Sequence, residues 1–480
     1  HADVGLMEIL VYSSEQTRDR MIIEMAPDGR LFKHRLLEFI GTQRQIEEAP
    51  FLLRPLKVAT RVIELVHGVV RLDPKVAQVA TLVRNPASMD GLVMADALKR
   101  EVTQLLAAGS APGGGPPPAV LLAGTEGCGR KALAFGVANH LKCAALHVRC
   151  DDLPTDSREL PKLCRSLVRE AILFRAMPVL ENIDVLPGDQ ETGRNDRSKV
   201  LDKALGEFLG PIAGTCALHD SRPVSLSRSA IVVEVEVPSE ADRNQLWHRV
   251  LGTQEKLDIY RVAARYPISG GIILKSAAAA TAMAEARGDD SVTDDDVHAG
   301  LRATLDSKLS NLGKRIQWRQ TWDDLVLPED SLEELHEFMA RLKHRRRVYD
   351  QWGFSRKMAK GLGLSALFAG PPGTGKTMVA GLIASELSLD LYQIDLSRIV
   401  SKYVGETEKN LAELFDAAEA GHAILLFDEA DSLFDKRTEV NTSVDRYANL
   451  EVNYLLQRME AFSGMTILTT NLDSSIDDAF

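Results

Sequence analysis

The residues best suited to chemistry form one glycine-rich loop in the last third of the chain. An apolar run at residues 366–369 precedes this loop, and a helical pattern follows it as far as Leu387. Glycines between a strand and a helix let backbone N–H groups turn around a phosphate, and the helix N-terminus adds the positive end of its dipole. Lys376 is expected to reach the β- and γ-phosphates of a nucleotide, and the Thr377 hydroxyl to ligate Mg²⁺. The predicted nucleotide-binding residues are Gly370, Pro371, Pro372, Gly373, Thr374, Gly375, Lys376, Thr377 and Met378.

Two carboxylates end a second apolar strand farther along the chain. Residues 424–427 are followed directly by Asp428 and Glu429. A continuously apolar strand suits the centre of a parallel sheet that is covered on both faces. Asp428 is predicted to hold the Mg²⁺ shell and Glu429 to polarise the attacking water. A later strand, Thr466–Thr470, delivers Asn471, whose amide is expected to orient that water. Together these residues predict nucleotide hydrolysis.

An earlier part of the chain repeats this order with altered residues. Residues 119–131 echo the later strand and loop, but the lysine and the metal-binding hydroxyl are replaced by Arg130 and Lys131. A second echo ends at Glu181, in the place of Asp428. Shared order and spacing argue for an internal duplication. The residues of this altered first site are Gly124, Gly129, Arg130, Glu181 and Asn182.

The altered first site is predicted to be inactive. Asn182 takes the place of Glu429, and an amide cannot act as a general base. Asp220 takes the place of Asn471 and adds a negative charge where a phosphate would lie. The remaining glycines and guanidinium leave weak nucleotide binding open. A structural, scaffolding role is therefore expected for the first half of the chain.

Five segments of the chain carry a family resemblance: residues 322–325, 370–377, 402–408, 428–431 and 470–471. Together they resemble the AAA+ ATPase family, strongly over residues 320–480 and weakly over 118–315. The resemblance implies a homo-oligomer, a hexameric ring that hydrolyses ATP with Mg²⁺ to ADP and phosphate and pulls on a protein client. It also implies that Lys402, Tyr403 and Val404 lie on a pore loop that grips that client. Residues 348–354 and 445–451 resemble, more narrowly, the two-module bacterial ATPases associated with contractile injection systems.

The predicted fold class is α/β, with two P-loop NTPase (AAA+) parallel-sheet modules, a helical lid after the first, and a mostly helical N-terminal domain. The chain starts at His1, and the family's arginine fingers and second lid come after the pattern that ends at Phe480. We therefore expect a truncated chain that hydrolyses ATP poorly, whereas its parent is active. The predicted domains are an N-terminal adaptor (1–106), a linker (107–118), a degenerate core (119–239), a helical lid (240–315) and an active core that lacks its lid (320–480).

Composition and organisation agree with a soluble cytoplasmic machine. A formal net charge of −11 speaks against a dedicated nucleic-acid binder. No apolar run is long enough to span a bilayer, so no membrane partner is expected. The five cysteines lack a Cys-x-x-Cys spacing, which predicts reduced thiols and no zinc.

Three alternatives remain open at this stage. The letters Asp-Glu-Ala-Asp at 428–431 permit an RNA-helicase interpretation, which the acidic balance and the Thr-Thr-Asn sequence at 469–471 disfavour. A DNA- or clamp-loading AAA+ ATPase would show a DNA-stimulated rate. A nucleotide-dependent scaffold without catalysis would fit the first half better than the second. The client protein and the role of residues 1–106 are not specified by any motif.

Overall fold

The computed structural model of the protein contains two compact units, His1–Glu236 and Val237–Phe480. The residues that the structure describes are 2–11, 20–21, 23–26, 29–34, 36–41, 43–108, 116–187, 196–206, 208–217, 226–253, 257–289, 291–309, 313–343, 363–387, 389–394, 406–421, 423–428, 430, 454–462 and 464–471.

The first unit contains a small antiparallel sheet and a larger, mostly parallel one. Its strands are β1 (Ala2–Asp3), β2 (Leu37–Phe39), β3 (Pro55–Val58), β4 (Ala80–Val83), β5 (Ala119–Ala123), β6 (Ala144–Arg149), β7 (Ala176–Glu181), β8 (Ile212–Cys216) and β9 (Ala230–Glu234). The small sheet has the order β1-β3-β2, and the larger one has the order β4-β6-β7-β8-β5-β9. In the larger sheet β4 runs antiparallel to β6, and the other neighbouring strands are parallel.

Helices cover both faces of the larger sheet in the first unit. Every residue of β5 is buried, as its uninterrupted apolar sequence predicts for a central parallel strand. On one face Leu121 packs with Leu167, and on the other Val120 packs with Leu133. The α-helices of this unit are Val4–Val11, Arg30–Lys33, Gln43–Glu48, Thr60–Val66, Pro74–Val79, Asp96–Ala107, Arg130–His140, Leu160–Leu173 and Ser198–Leu205. Short 3-10 helices are Phe51–Leu53, Met89–Gly91, Cys150–Asp152 and Ile183–Val185.

The segment predicted as a separate N-terminal domain contributes directly to the larger sheet. Strand β4 pairs with β6 at its edge, and Val102 and Leu106 pack in the same core as Val120. The boundary predicted at residue 106 therefore falls inside the first unit. Local periodicity cannot reveal that β4 belongs to this sheet, because its partner strand β6 lies about 60 residues later in the chain. Most of the predicted linker, residues 109–115, lies outside the described residues.

The second unit contains one sheet and a helical bundle. Its strands are β10 (Gly313–Ile316), β11 (Leu364–Ala369), β12 (Leu391–Ile394), β13 (Ile424–Phe427) and β14 (Met465–Thr470). The sheet has the order β10-β12-β13-β14-β11, with β10 antiparallel to β12 and the other pairs parallel. Its helices are Glu240–Leu251, Ile259–Arg265, Gly270–Ala286, Asp294–Leu309, Glu329–Lys343, Lys376–Glu386, Glu406–Gly421 and the 3-10 helix Trp322–Asp324.

The first four helices of this unit form a bundle with its own core around the fully buried Trp247. Thr293 caps the helix Asp294–Leu309, because its Oγ1 accepts a hydrogen bond from the backbone amide of Asp296 at 3.4 Å. Helix Asp294–Leu309 packs against helix Glu406–Gly421 of the same unit. The segment predicted as the lid of the first core therefore belongs to the same compact unit as the second sheet.

The two large sheets share one strand order. Starting from the strand that precedes each glycine loop, the sequence of neighbours is β5-β8-β7-β6-β4 in the first and β11-β14-β13-β12-β10 in the second. In each case the last strand is an antiparallel edge. The carboxyl ends of the parallel strands, where each predicted site lies, therefore meet at one edge of each sheet.

Candidate functional site

The loop of the second unit has the geometry that its glycines predict. Gly373 and Gly375 adopt φ values of +83° and +88°, a region that favours glycine. Gly375 is the N-cap of helix Lys376–Glu386. The strand, loop and helix predicted from the sequence are therefore present, and the helix N-terminus opens toward the loop.

Lys376 joins this loop to the end of the neighbouring strand. Its Nζ donates hydrogen bonds to the carbonyl oxygens of Gly370 at 2.6 Å and Pro371 at 3.0 Å. The same ammonium donates to Oδ1 of Asn471 at 2.9 Å, immediately after β14. The structure thus brings two predicted catalytic residues, 95 positions apart, into direct contact. These acceptors hold the ammonium at the mouth of the loop, where a triphosphate would take their place.

Asp428 directly follows β13, and its carboxylate accepts hydrogen bonds from two neutral donors. Gln393 donates from Nε2 to Oδ2 of Asp428 at 2.8 Å, and the Thr469 hydroxyl donates to Oδ1. Neither Gln393 nor Thr469 was among the residues predicted to form the site. The available signal was a polar residue inside an apolar strand, as in the Leu-Tyr-Gln-Ile sequence of β12.

The donor set of the second site fits Mg²⁺. A carboxylate at Asp428 and a hydroxyl at Thr377 are hard oxygen ligands, and Mg²⁺ is usually bound by one or two such groups together with substrate phosphates. Nowhere in the part of the chain that the structure describes do three or more His, Cys, Asp or Glu side chains cluster as a metal site.

Several predicted site residues lie outside the described residues. They are Glu429, the three pore-loop residues Lys402, Tyr403 and Val404, and Asp220 of the first half.

The loop of the first unit repeats the backbone of the second. Gly127 and Gly129 have φ values of +81° and +99°, and Gly129 is the N-cap of helix Arg130–His140. The Gly124 amide donates to the carbonyl of Cys216 at 3.3 Å, just as the Gly370 amide donates to Thr470 at 3.2 Å.

Strand register gives the equivalent positions. Ala123 pairs with Cys216 in the first sheet, and Ala369 pairs with Thr470 in the second. Two residues earlier on β8 and β14, Gly214 faces Leu180 and Leu468 faces Phe427. The residues that follow on β7 and after β13 are Glu181 and Asp428, which therefore correspond. The same register matches His147 with Gln393.

Glu181 is held by two basic side chains in the first unit. Nζ of Lys131 lies 2.8 Å from its Oε1, and Nε2 of His147 lies 2.6 Å from its Oε2. Burial raises the pKa of the Glu181 carboxyl, but the hydrogen bonds from Lys131 and His147 outweigh this effect and leave the pKa below its ordinary value. The carboxylate is therefore ionised at neutral pH.

The other altered residues of the first site also have protein partners. A guanidinium nitrogen of Arg130 donates to the carbonyl of Cys216. Asn182 adopts a left-handed backbone with φ of +56°, and its Nδ2 donates to Oδ2 of Asp151 at 2.8 Å. Its amide nitrogen donates to the Thr215 hydroxyl at 3.1 Å. These contacts place Arg130 and Asn182 at the same edge of the sheet as Glu181.

The five cysteines are free thiols, all in the first unit. Burial raises the pKa of the Cys164 thiol to about 12, so this group stays protonated and unreactive at neutral pH. Among the described residues, no helix combines the length and apolar character that crossing a bilayer requires.

Comparison with known proteins gives one consistent result for the second site. Residues 366–480 match the profile of the ATPase family associated with various cellular activities (AAA). An uncharacterized AAA family ATPase of Sinorhizobium fredii is 40% identical over 115 residues, which are 24% of this chain and 34% of the relative. The cell division cycle protein 48 homolog of Archaeoglobus fulgidus is 38% identical over 115 residues, 24% of this chain and 16% of the relative.

Another match covers a larger share of the chain. The proteasome-activating nucleotidase of Methanoregula boonei is 30% identical over 192 residues, 37% of this chain and 43% of the relative. The chain spans no more than half the length of the relatives it matches. The similarity therefore supports an AAA ATPase domain in the second unit, with a nucleotide as its ligand.

Proposed function

We propose that the second unit binds ATP with Mg²⁺ and hydrolyses it to ADP and phosphate. The observation that carries this proposal is the contact of Lys376 with both its own loop and Asn471, beside Asp428 at the same edge of the sheet. Three adjacent parallel strands, β11, β14 and β13, deliver these three residues. A bound Mg²⁺ supplies charge neutralisation at the β- and γ-phosphates.

Each residue of the second site has a proposed role in this reaction. Lys376 exchanges its carbonyl acceptors for phosphate oxygens, and Thr377 and Asp428 provide oxygen ligands for the metal. Glu429 accepts a proton from the attacking water, and the Asn471 amide positions that water against the γ-phosphate. Gln393 and Thr469 orient the Asp428 carboxylate by hydrogen bonds.

For the whole protein we propose a ring-forming AAA+ subunit, most simply a hexamer, which remodels or threads a protein client in the cytoplasm. The matched relatives, among them a protein named as a proteasome-activating nucleotidase, support action on proteins. Tyr403, flanked by Lys402 and Val404, is proposed to grip the client. The similarity of residues 348–354 and 445–451 to ATPases of contractile injection systems suggests assembly or disassembly of such a machine.

We propose that the first unit is a duplicated AAA+ core that has lost catalysis. Its strand order, its loop conformation and its register all parallel the second unit. Asn182 cannot accept a proton as the Glu429 carboxylate can. This half of the protein is therefore assigned a scaffolding role.

The decisive experiment replaces Glu429 by Gln in the full-length parent protein, the form expected to be active. The variant is expected to bind ATP and to lose about 10²–10⁴-fold in turnover, because a general base contributes that much. Glu460→Gln, at an exposed position in the helical residues 454–461, is the matched control and should turn over normally. Normal turnover in Glu429→Gln would refute the assignment.

The client is tested separately with Tyr403→Ala, which should keep ATPase activity and lose protein remodelling. Remodelling that survives in this variant argues against threading. An ATPase rate that double-stranded DNA stimulates, and a protein client does not, would favour the DNA- or clamp-loading alternative.

A further inference from the structure

The first loop carries its own cation beside the carboxylate that corresponds to Asp428. The ammonium of Lys131 lies 2.8 Å from one oxygen of Glu181, and the imidazole of His147 lies 2.6 Å from the other. Both oxygens of the carboxylate are therefore bound by basic side chains of the same unit. Lys131 occupies the helix position that Thr377 occupies in the second unit, directly after the loop lysine or arginine.

The two sites differ in charge rather than in layout. In the second unit the donors to Asp428 are an amide and a hydroxyl, which leave the negative charge of the carboxylate available to a metal ion. In the first unit an ammonium neutralises Glu181. Lysine also has no acceptor atom, so the position that should supply an oxygen ligand cannot do so. The residues of the first site consequently do not fit Mg²⁺.

We propose that the Lys131 ammonium is a permanent replacement for Mg²⁺ at the first loop. It ties the first turn of helix Arg130–His140 to the end of β7 and excludes a divalent cation from Glu181, since a dication and an ammonium repel each other at this distance. The first unit thereby keeps one loop geometry whether or not ATP is turned over elsewhere. This inference rests on the proposed correspondence of the two cores and not on catalysis by the second.

Two neighbouring side chains of the first site also have protein partners. Arg130 donates to the carbonyl of Cys216, and the side-chain amide of Asn182 donates to Asp151. These two residues, which take the places of Lys376 and Glu429, are therefore held by the protein itself.

Metal binding at the first loop can be measured once the second loop is silenced by Lys376→Ala with Asp428→Asn. Mn²⁺ in the presence of ADP is the probe, and electron paramagnetic resonance reports bound metal. With Lys131 in place, no Mn²⁺·ADP site is expected. Lys131→Thr should create one, with metal affinity higher by about 10-fold or more. Lys199→Thr, which removes an exposed lysine paired with Asp196 in the same unit, is the matched control and should leave binding unchanged.

Two further results test where the new Mn²⁺ site lies and whether Lys131 excludes the metal. Glu181→Gln, added to Lys131→Thr, must remove the new Mn²⁺ signal. Mn²⁺·ADP binding while Lys131 is present, or no gain in Lys131→Thr, overturns the proposal. If the proposed ATPase activity is wrong, the protein that retains Lys376 will not hydrolyse ATP. That result would not affect Mn²⁺ binding at the first loop.

Discussion

Gln393 donates a hydrogen bond from Nε2 to Oδ2 of Asp428 at 2.8 Å, across two adjacent parallel strands. The equivalent pair in the first unit is His147 with Glu181 at 2.6 Å. The strand next to the carboxylate strand thus orients the acid in both halves of the chain. At the second site, where Mg²⁺ is proposed to bind, the donor that orients the acid is a neutral amide. At the first site, where the Lys131 ammonium is proposed to replace the metal, the partner of the acid is an imidazole.

Replacement of Gln393 by Leu should weaken Mg²⁺ binding at the second site. The side chain keeps a similar volume but loses the donor that orients Asp428, and loss of such a partner costs about 10–100-fold in metal affinity. The measurement is ATP binding titrated with Mg²⁺ and repeated with EDTA present. Binding without metal should be unchanged, and an equal loss under both conditions would show damage to the loop rather than to the metal site.

Unfolding of the second unit should depend on pH through His298. The guanidinium of Arg302 donates to Nε2 of His298 at 2.9 Å, so that nitrogen must be an acceptor and the imidazole is neutral. Its Nδ1 then donates to the Tyr266 hydroxyl at 2.9 Å. Burial, followed by the charge of Arg302, lowers the pKa of His298 below 6.5. Asp390, Arg265 and Asp295 are the other charged groups that act on it.

The sign of this pH dependence follows from proton binding. Between the lowered pKa and about 6.5 the unfolded chain binds more protons at this residue than the folded chain. The contribution of His298 to stability is therefore complete above pH 6.5 and is lost as the pH falls below it. Urea unfolding at pH 5.5 and 7.5 should show a smaller pH effect in His298→Gln, because Gln offers an acceptor and a donor without titrating. An identical pH effect in both proteins would contradict this assignment.

Replacement of Glu170 by Gln should strongly destabilise the first unit. Glu170 is fully buried and accepts from Arg61 at 3.0 Å and from Arg169 at 3.2 Å. Removing its charge leaves two buried guanidinium groups without the fully buried counter-ion that they share, which costs up to about 3–5 kcal/mol in the free energy of unfolding.

The matched control for this prediction is Glu38→Gln, which disrupts the more exposed pair with Lys57. Such pairs contribute about 0–1 kcal/mol. Urea unfolding followed by circular dichroism compares the two variants. Equal effects would mean that the buried network does not hold the N-terminal helix Thr60–Val66 to helix Leu160–Leu173.

The local elements of both sites could be predicted from sequence. The strand, loop and helix around Lys376 are found within a few residues of their expected bounds, because apolar runs and glycines act over short distances. The roles of Glu429 and of Tyr403 with its neighbours stay predictions, since those residues lie outside the described part of the chain.

Residue types and spacing alone therefore predicted a phosphate loop, an acid-ended strand and an amide-ended strand in the last third of the chain, and an altered repeat of this order earlier in the chain. Tertiary structure decided what each side chain contacts: Lys376 with Asn471, Gln393 with Asp428, and Lys131 with Glu181. It also decided that β4, from the segment predicted as a separate domain, completes the first sheet. The physical reason is that hydrogen bonds and salt bridges depend on distances between atoms, and strand pairing brings together residues that are tens of positions apart in the chain.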